Sequence, residues 1–199
     1  MAAEAPWYGP PAPHHKRIAA RPRPAIPFAM DPHPPRKPSL VRAADLARQP
    51  EESFSHPFNP NSEVHGHSLG DATGMSRVGV HLIRVPPGKE SFVYHSHHGE
   101  EEFIYILSGR AIAEIAEHQV EVGPGDFLGF PTPSVAHHLR NPFDTDLVYL
   151  SGGERHAIEV ADYPRHGKRM VRVGADTSIY DGLGHAVFPG MPVIPWRER

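Results

Sequence analysis

His95 and His97 are separated by one residue, Glu102 follows five positions later, and His137 returns the same chemistry from a distant part of the chain. Imidazole nitrogen and carboxylate oxygen are the donors that hold a borderline divalent ion, and thiolate ligands and disulfides are excluded because the chain has no cysteine. On a strand alternate side chains share a face, so His95 and His97 are expected to project together with Cα atoms about 6.5 to 7 Å apart. Two imidazoles so placed can converge on one ion at about 2.1 Å. The pair is weak on its own, because 16 histidines in 199 residues make about one His-x-His triplet expected by chance. His65-Gly66-His67 is such a second triplet; ahead of the strand-rich region, it is expected to lie in an exposed loop.

The neighbours of the pair give it weight. Gly99 can end the first strand, and Glu102 then starts another on the face shared by Ile104 and Ile106. Glu100 falls in the turn and Glu101 shares its face with Phe103 and Tyr105, so Glu102 is the expected oxygen ligand and the other two are expected to be solvated. The same period places His137 with Val135 and Leu139 on an apolar inward face, and His138 with Ala136 and Arg140 facing out.

The elements that must position these groups are short and β-rich. Runs at 77–85, 90–97, 102–107, 110–116, 118–122, 126–130, 135–140 and 146–151 are separated by turn signals such as Pro86-Pro87-Gly88 and Gly123-Pro124-Gly125. Many short strands without intervening helices predict an all-β fold, and residues 77–151 are expected to form a barrel. Residues 1–38 hold eleven of the chain's prolines without a period of 2 or 3.6, and predict a flexible or polyproline-like arm. Residues 1–29 read either as part of that arm or as an extension ahead of an alternative start at Met30. Residues 39–76 are expected to be a lead-in with one short helix at 39–48, with Ser39 as a possible N-cap. Residues 152–199 form a less regular extension, with one strand at 168–173 and a Pro-rich end around Trp196, expected to pack on the barrel or on a partner subunit.

With Gly88, His95, His97, Glu102 and Gly109 in one motif, and Gly125, Pro131, His137 and Asn141 in a second, the chain resembles the cupin superfamily over residues 77–151. It looks most like stand-alone single-domain bacterial cupins of the cupin 2 conserved-barrel type. The resemblance implies a double-stranded β-helix, or jelly-roll barrel, usually dimeric, with one divalent metal held by His95, His97, Glu102 and His137. Two departures concern turns: six residues rather than five separate Gly88 from His95, and Pro133-Ser134 stand where the family commonly has a glycine.

Such a donor set suits Fe, Mn, Ni, Co or Zn, and in a six-coordinate ion leaves two positions for a small-molecule ligand. Ligation needs neutral imidazoles, so metal is expected to be lost in a titration as pH falls below about 6. His81 and Tyr94, expected on adjacent strands, are the candidates for a catalytic acid or base. The chain then reads as a metal-dependent dioxygenase, isomerase or decarboxylase acting on a small oxygen-rich molecule, or as a non-catalytic module that binds a sugar or carboxylate. The enzyme is favoured, because no helix-turn-helix, kinase or membrane element supplies a sensor's output.

Bulk properties narrow the field further. A formal charge of -3 with a pI near 6.6 gives no bias toward nucleic acid. A hydrophobic fraction of 39% suffices for one core, and no apolar run is long enough to cross a membrane as a helix. A soluble, cytoplasmic protein is expected, since the first twenty residues lack the apolar run of a signal peptide.

Overall fold

The computed structural model describes residues 37–116 and 118–182; the expected arm at 1–36 and the Pro-rich end with Trp196 lie outside the described residues. Thirteen strands are described: β1 (Glu52–Phe54), β2 (Val64–Ser68), β3 (Val78–Val85), β4 (Ser96–His97), β5 (Glu102–Ser108), β6 (Ala111–Ile115) and β7 (His118–Val122), then β8 (Phe127–Phe130), β9 (His137–Arg140), β10 (Leu147–Glu154), β11 (Ile158–Tyr163), β12 (Lys168–Val173) and β13 (Asp176–Asp181). They form a six-stranded sheet in the order β1-β2-β3-β10-β5-β8, a four-stranded sheet β13-β12-β11-β4 and a three-stranded sheet β7-β6-β9. The strand-to-strand pairings within these sheets are antiparallel.

One core joins the six-stranded and three-stranded sheets, which gives the all-β, jelly-roll arrangement. Val64, Ile83, Val85, Ile104, Ile106, Leu128, Phe130, Leu147 and Tyr149 come from the first sheet, and Ala111, Ala113, Val122 and Leu139 from the second. Alternation builds it: Ile104 and Ile106 are buried while Tyr105 and Leu107 are exposed, so Glu102, two residues earlier, opens onto the same interior. Small alanines on β6 let the narrower sheet approach.

The turns are set by the motif residues. Gly109 has φ 78, and a Cβ there would lie 2.2 Å from the carbonyl oxygen of Asp146, so both conformation and space require glycine. Asn141 is fully buried; its side-chain amide donates to the carbonyls of Val85 (2.9 Å) and Thr145 (2.8 Å), and its carbonyl accepts from the amide of Phe143. Gly88 donates to the Asn141 carbonyl at 2.8 Å, which ties the first motif's turn to the second.

Several expectations are corrected. The helix at 39–48 shrinks to one turn, α1 (Ala43–Leu46), capped by Arg42 rather than Ser39; it buries no residue, and a turn without tertiary packing has little reason to extend. A second helix, α2 (Leu69–Thr73), is present, with Ser68 accepting from the amide of Asp71 and Gly74 ending it in the left-handed region. The lead-in supplies two strands of the large sheet, and His65 and His67 sit on β2 rather than in a loop. Regular pairing in 90–97 is confined to β4, because Ser91 and His95 meet β9 through a bridge, a side-chain contact and single amide bonds. Beyond the barrel region β11 and β13 accompany the expected strand at 168–173.

Candidate metal centre

His95 and His137 face each other as an antiparallel pair and exchange both backbone hydrogen bonds, at 3.2 and 2.8 Å, so their side chains emerge on one face. His97 follows on β4, where Ser134 grips its backbone from both sides: the His97 amide donates to Ser134 Oγ at 2.7 Å, and the Ser134 amide donates to the His97 carbonyl at 2.8 Å. The departure at Pro133-Ser134 thus anchors a site residue. Glu102 enters from β5, flanked by β8 and β10.

The three imidazoles gather around Glu102. Glu102 Oε2 lies 3.2 Å from His137 Nε2, 3.3 Å from His97 Nε2 and 3.8 Å from His95 Nε2. His95, His97 and Glu102 offer ligand atoms within 4.8 Å of one another. Phe130 stacks flat on the His137 ring, with centroids 3.5 Å apart, and Ser151 Oγ donates to Glu102 Oε1 at 3.2 Å.

The other nitrogen of each ring is committed. His95 Nδ1 lies 2.8 Å from the carbonyl of Val93, His137 Nδ1 3.0 Å from that of Val135, and His97 Nδ1 3.2 Å from Glu159 Oε1. Carbonyl and carboxylate oxygens only accept, so each Nδ1 carries a proton, and a ring in its neutral form presents a bare Nε2 lone pair to the centre. Yet His95 Nε2 and His97 Nε2 approach to 3.1 Å. Two lone pairs at that distance repel unless a proton or a metal ion lies between them, and imidazoles gathered with a carboxylate are a donor set that suits a divalent ion.

The electrostatics are consistent with this. Burial works against the Glu102 charge, but the facing rings of His137, His95 and His97, when protonated, donate to it, outweigh the burial and hold its carboxyl well below the usual range. Burial lowers the pKa of His95 despite Glu102. For His97, burial is overcome by Glu102 and Glu159, and the pKa is raised.

A cavity of about 470 Å³ opens beside His95, His97 and Glu102, with His81, Ser151, Arg155 and Arg172 also on its wall. His81 pairs with Ser151 across β3 and β10. Burial, then the Arg155 charge, lowers its pKa, so it is neutral at pH 7. Tyr94 lies elsewhere. It is not on a strand beside β3, its hydroxyl donates to the Ala116 carbonyl, and its ring meets His138 edge-on with Arg165 4.0 Å above it.

Two further expectations change, and one residue was missed. His138 does not face solvent: it is 5% exposed, 3.6 Å from Glu114 and 3.8 Å from Glu90, under a cover made by Tyr94 and Arg165. Burial brings its pKa down to about 4. Glu100 is not solvated but pairs with Arg172 and accepts from the His156 amide, whereas Glu101 is exposed as expected. Glu159 was invisible to sequence reading; its region lacked the turn and motif signals that framed the barrel, although Ile158–Tyr163 carries a weak alternation.

A family model for the cupin domain matches residues 81–153. A crystal structure of a candidate sugar phosphate isomerase from Acidithiobacillus ferrooxidans is 40% identical with a TM-score of 0.69, over 71% of this chain and 91% of that one. A sugar phosphate isomerase of the cupin superfamily from Silicibacter pomeroyi shares the fold at 23% identity and a TM-score of 0.64, over 72% of this chain and 96% of that one. Sulfate adenylyltransferase subunit 1 of Shewanella oneidensis is 25% identical over 141 residues, 63% of this chain and 29% of that protein. The chain spans less than a third of the length of the curated relatives it matches. With both motifs placed on jelly-roll strands and a relative of 40% identity matched along nearly its whole length, the chain belongs to the cupin superfamily.

Proposed function

We propose that the chain binds one divalent metal ion through His95, His97, Glu102 and His137 and isomerises a small polyhydroxylated substrate of the sugar phosphate class. The observation that carries the metal assignment is the 3.1 Å approach of two Nε2 atoms whose rings both commit Nδ1 to acceptors. The likeness to a candidate sugar phosphate isomerase supports the reaction class. When bound, the ion supplies Lewis acidity toward a substrate oxygen.

The chain's own groups supply the rest. The cavity is of a size that takes a small molecule, and Phe92 on its wall limits the water around a bound ligand. His81 is neutral at pH 7 and can take a proton from the substrate and return it one atom away, which is the proton balance of an isomerisation. Ser151 fixes Glu102 through Oε1 and leaves Oε2 for the centre.

A second reading, a non-catalytic module for a sugar or carboxylate, draws on one observation. Both arginines on the cavity wall are already engaged, Arg155 with Asp71 and Arg172 with Glu100, so neither is an idle phosphate anchor. The test is metal analysis of protein purified without added metal, followed by incubation with aldose and ketose phosphates in D₂O. One equivalent of metal and deuterium entry at carbon are expected, with His81→Asn retaining the metal and losing exchange. Saturable sugar binding without exchange would support the module instead, and absence of metal would remove the centre.

A further inference from the structure

The C-terminal part of the chain reaches into the centre through one side chain. β11 pairs with β4, matching Ala161 to His97 and Asp162 to Ser96, and places Glu159 behind the His97 ring. Glu159 is 1% exposed. Its Oε1 accepts from His97 Nδ1 at 3.2 Å, from the His98 amide at 3.2 Å and from the Gly99 amide at 3.4 Å. Its Oε2 is buried without a hydrogen-bond partner, and a Cβ on Gly99 would come within 2.9 Å of it.

A carboxylate withdrawn from water this far is expensive unless a positive partner balances it. The facing group is the Nδ1–H edge of His97, and that ring gains positive character when its Nε2 ligates a cation. His95 and His137 use backbone carbonyls for the same purpose, so His97 differs in having a full negative charge behind it.

We infer that Glu159 is a positioning residue for the metal centre: its carboxylate holds His97 in the tautomer with Nδ1 protonated and Nε2 bare, orients the ring and raises its basicity as a ligand. The inference deepens the metal-binding reading and rests on it. It also makes a residue outside the two cupin motifs part of what the centre requires.

The experiment uses the full chain stripped of metal, as wild type, Glu159→Gln and Glu159→Ala, each confirmed folded by circular dichroism. Cobalt(II) titration followed by its visible absorption is expected to show affinity weakened about tenfold in E159Q and ten- to a hundredfold in E159A. Two-bond proton–nitrogen correlations of the metal-free protein, recorded above the pH at which His97 loses its charge, are expected to show His97 protonated at Nδ1. In E159Q the side-chain amide can donate as well as accept, and the Nε2–H tautomer should gain population. Wild-type cobalt affinity in the folded variants, or an Nε2–H tautomer for His97 in the wild-type protein, would overturn the inference. If E159A does not fold, E159Q and the wild-type tautomer decide. If wild type binds no cobalt, the metal reading fails by itself, while the tautomer still judges the role of Glu159.

Discussion

The chain carries two His-x-His triplets, one on β2 and one running from a bridge residue into β4, and only the second joins a carboxylate in a group that could hold an ion. In His95-Ser96-His97 each ring gives Nδ1 to an acceptor behind it and turns Nε2 toward Glu102 and toward the other ring. In His65-Gly66-His67 the first ring is used up locally, with Nδ1 2.8 Å from Ser53 Oγ and Nε2 3.0 Å from Glu63 Oε1. Among the described residues, the groups of three or more that could hold an ion are His95-His97-Glu102 and His97-Glu100-Glu159. Spacing therefore puts two imidazoles on one face, but a site also needs one nitrogen per ring left uncommitted and a shared carboxylate in reach.

The strongest way to break this contrast is His97→Ala beside His67→Ala. H97A should lose nearly all bound metal by elemental analysis, together with the stabilisation that metal confers, about 2.7 kcal/mol at a hundredfold excess over Kd. H67A should keep full metal content and melt within a few degrees of wild type. Equal metal content in the two variants would erase the distinction.

The residue between the histidines differs for a structural reason. A Cβ at Gly66 would lie 2.0 Å from the Leu82 carbonyl oxygen on the neighbouring strand, where the backbone cannot give way cheaply. Gly66→Ala is expected to cost roughly 1 to 3 kcal/mol in urea unfolding. A variant as stable as wild type would show that β2 can move away from β3.

A smaller effect sets a packed histidine apart from the cluster through pH. His56 packs edge-on against Tyr163, and its Nδ1 accepts from the Phe58 amide at 3.2 Å. Burial, helped by His95 and His166, lowers its pKa to about 4. Because the folded value lies below the unfolded value near 6.5, the neutral ring's contribution is complete above pH 6.5 and is lost as pH falls toward 4. In metal-free protein, His56→Gln should flatten the fall in stability between pH 6.5 and 4.5. An unchanged slope would place the acid sensitivity elsewhere.

Legibility followed the kind of signal each region carried. Strand spans from 102 to 140 were close because alternation and turn residues coincide there, and Glu102 was separable from Glu100 and Glu101 by its face. The lead-in strands failed because β1 and β2 are short, β2 carries two histidines, and their order comes from pairing, β2 on β3 and β1 on β2. His138 was misjudged because a period of two sorts faces, not exposures: β9 is covered on both sides, by the core under Leu139 and by Tyr94 and Arg165 over His138.

The sequence alone determined the all-β class, the turn glycines and the candidate donors His95, His97 and Glu102 that the fold brings together, because those depend on local period and on residue chemistry. The tertiary structure decided what stands behind the donors. The Nδ1 partners of His95 and His137 are backbone carbonyls two residues back, the grip on His97 comes from Ser134, and the carboxylate behind His97 arrives on a strand 62 residues away. Tautomer, basicity and cavity wall are pairwise properties of groups distant in the chain, so they exist only once the sheets have packed.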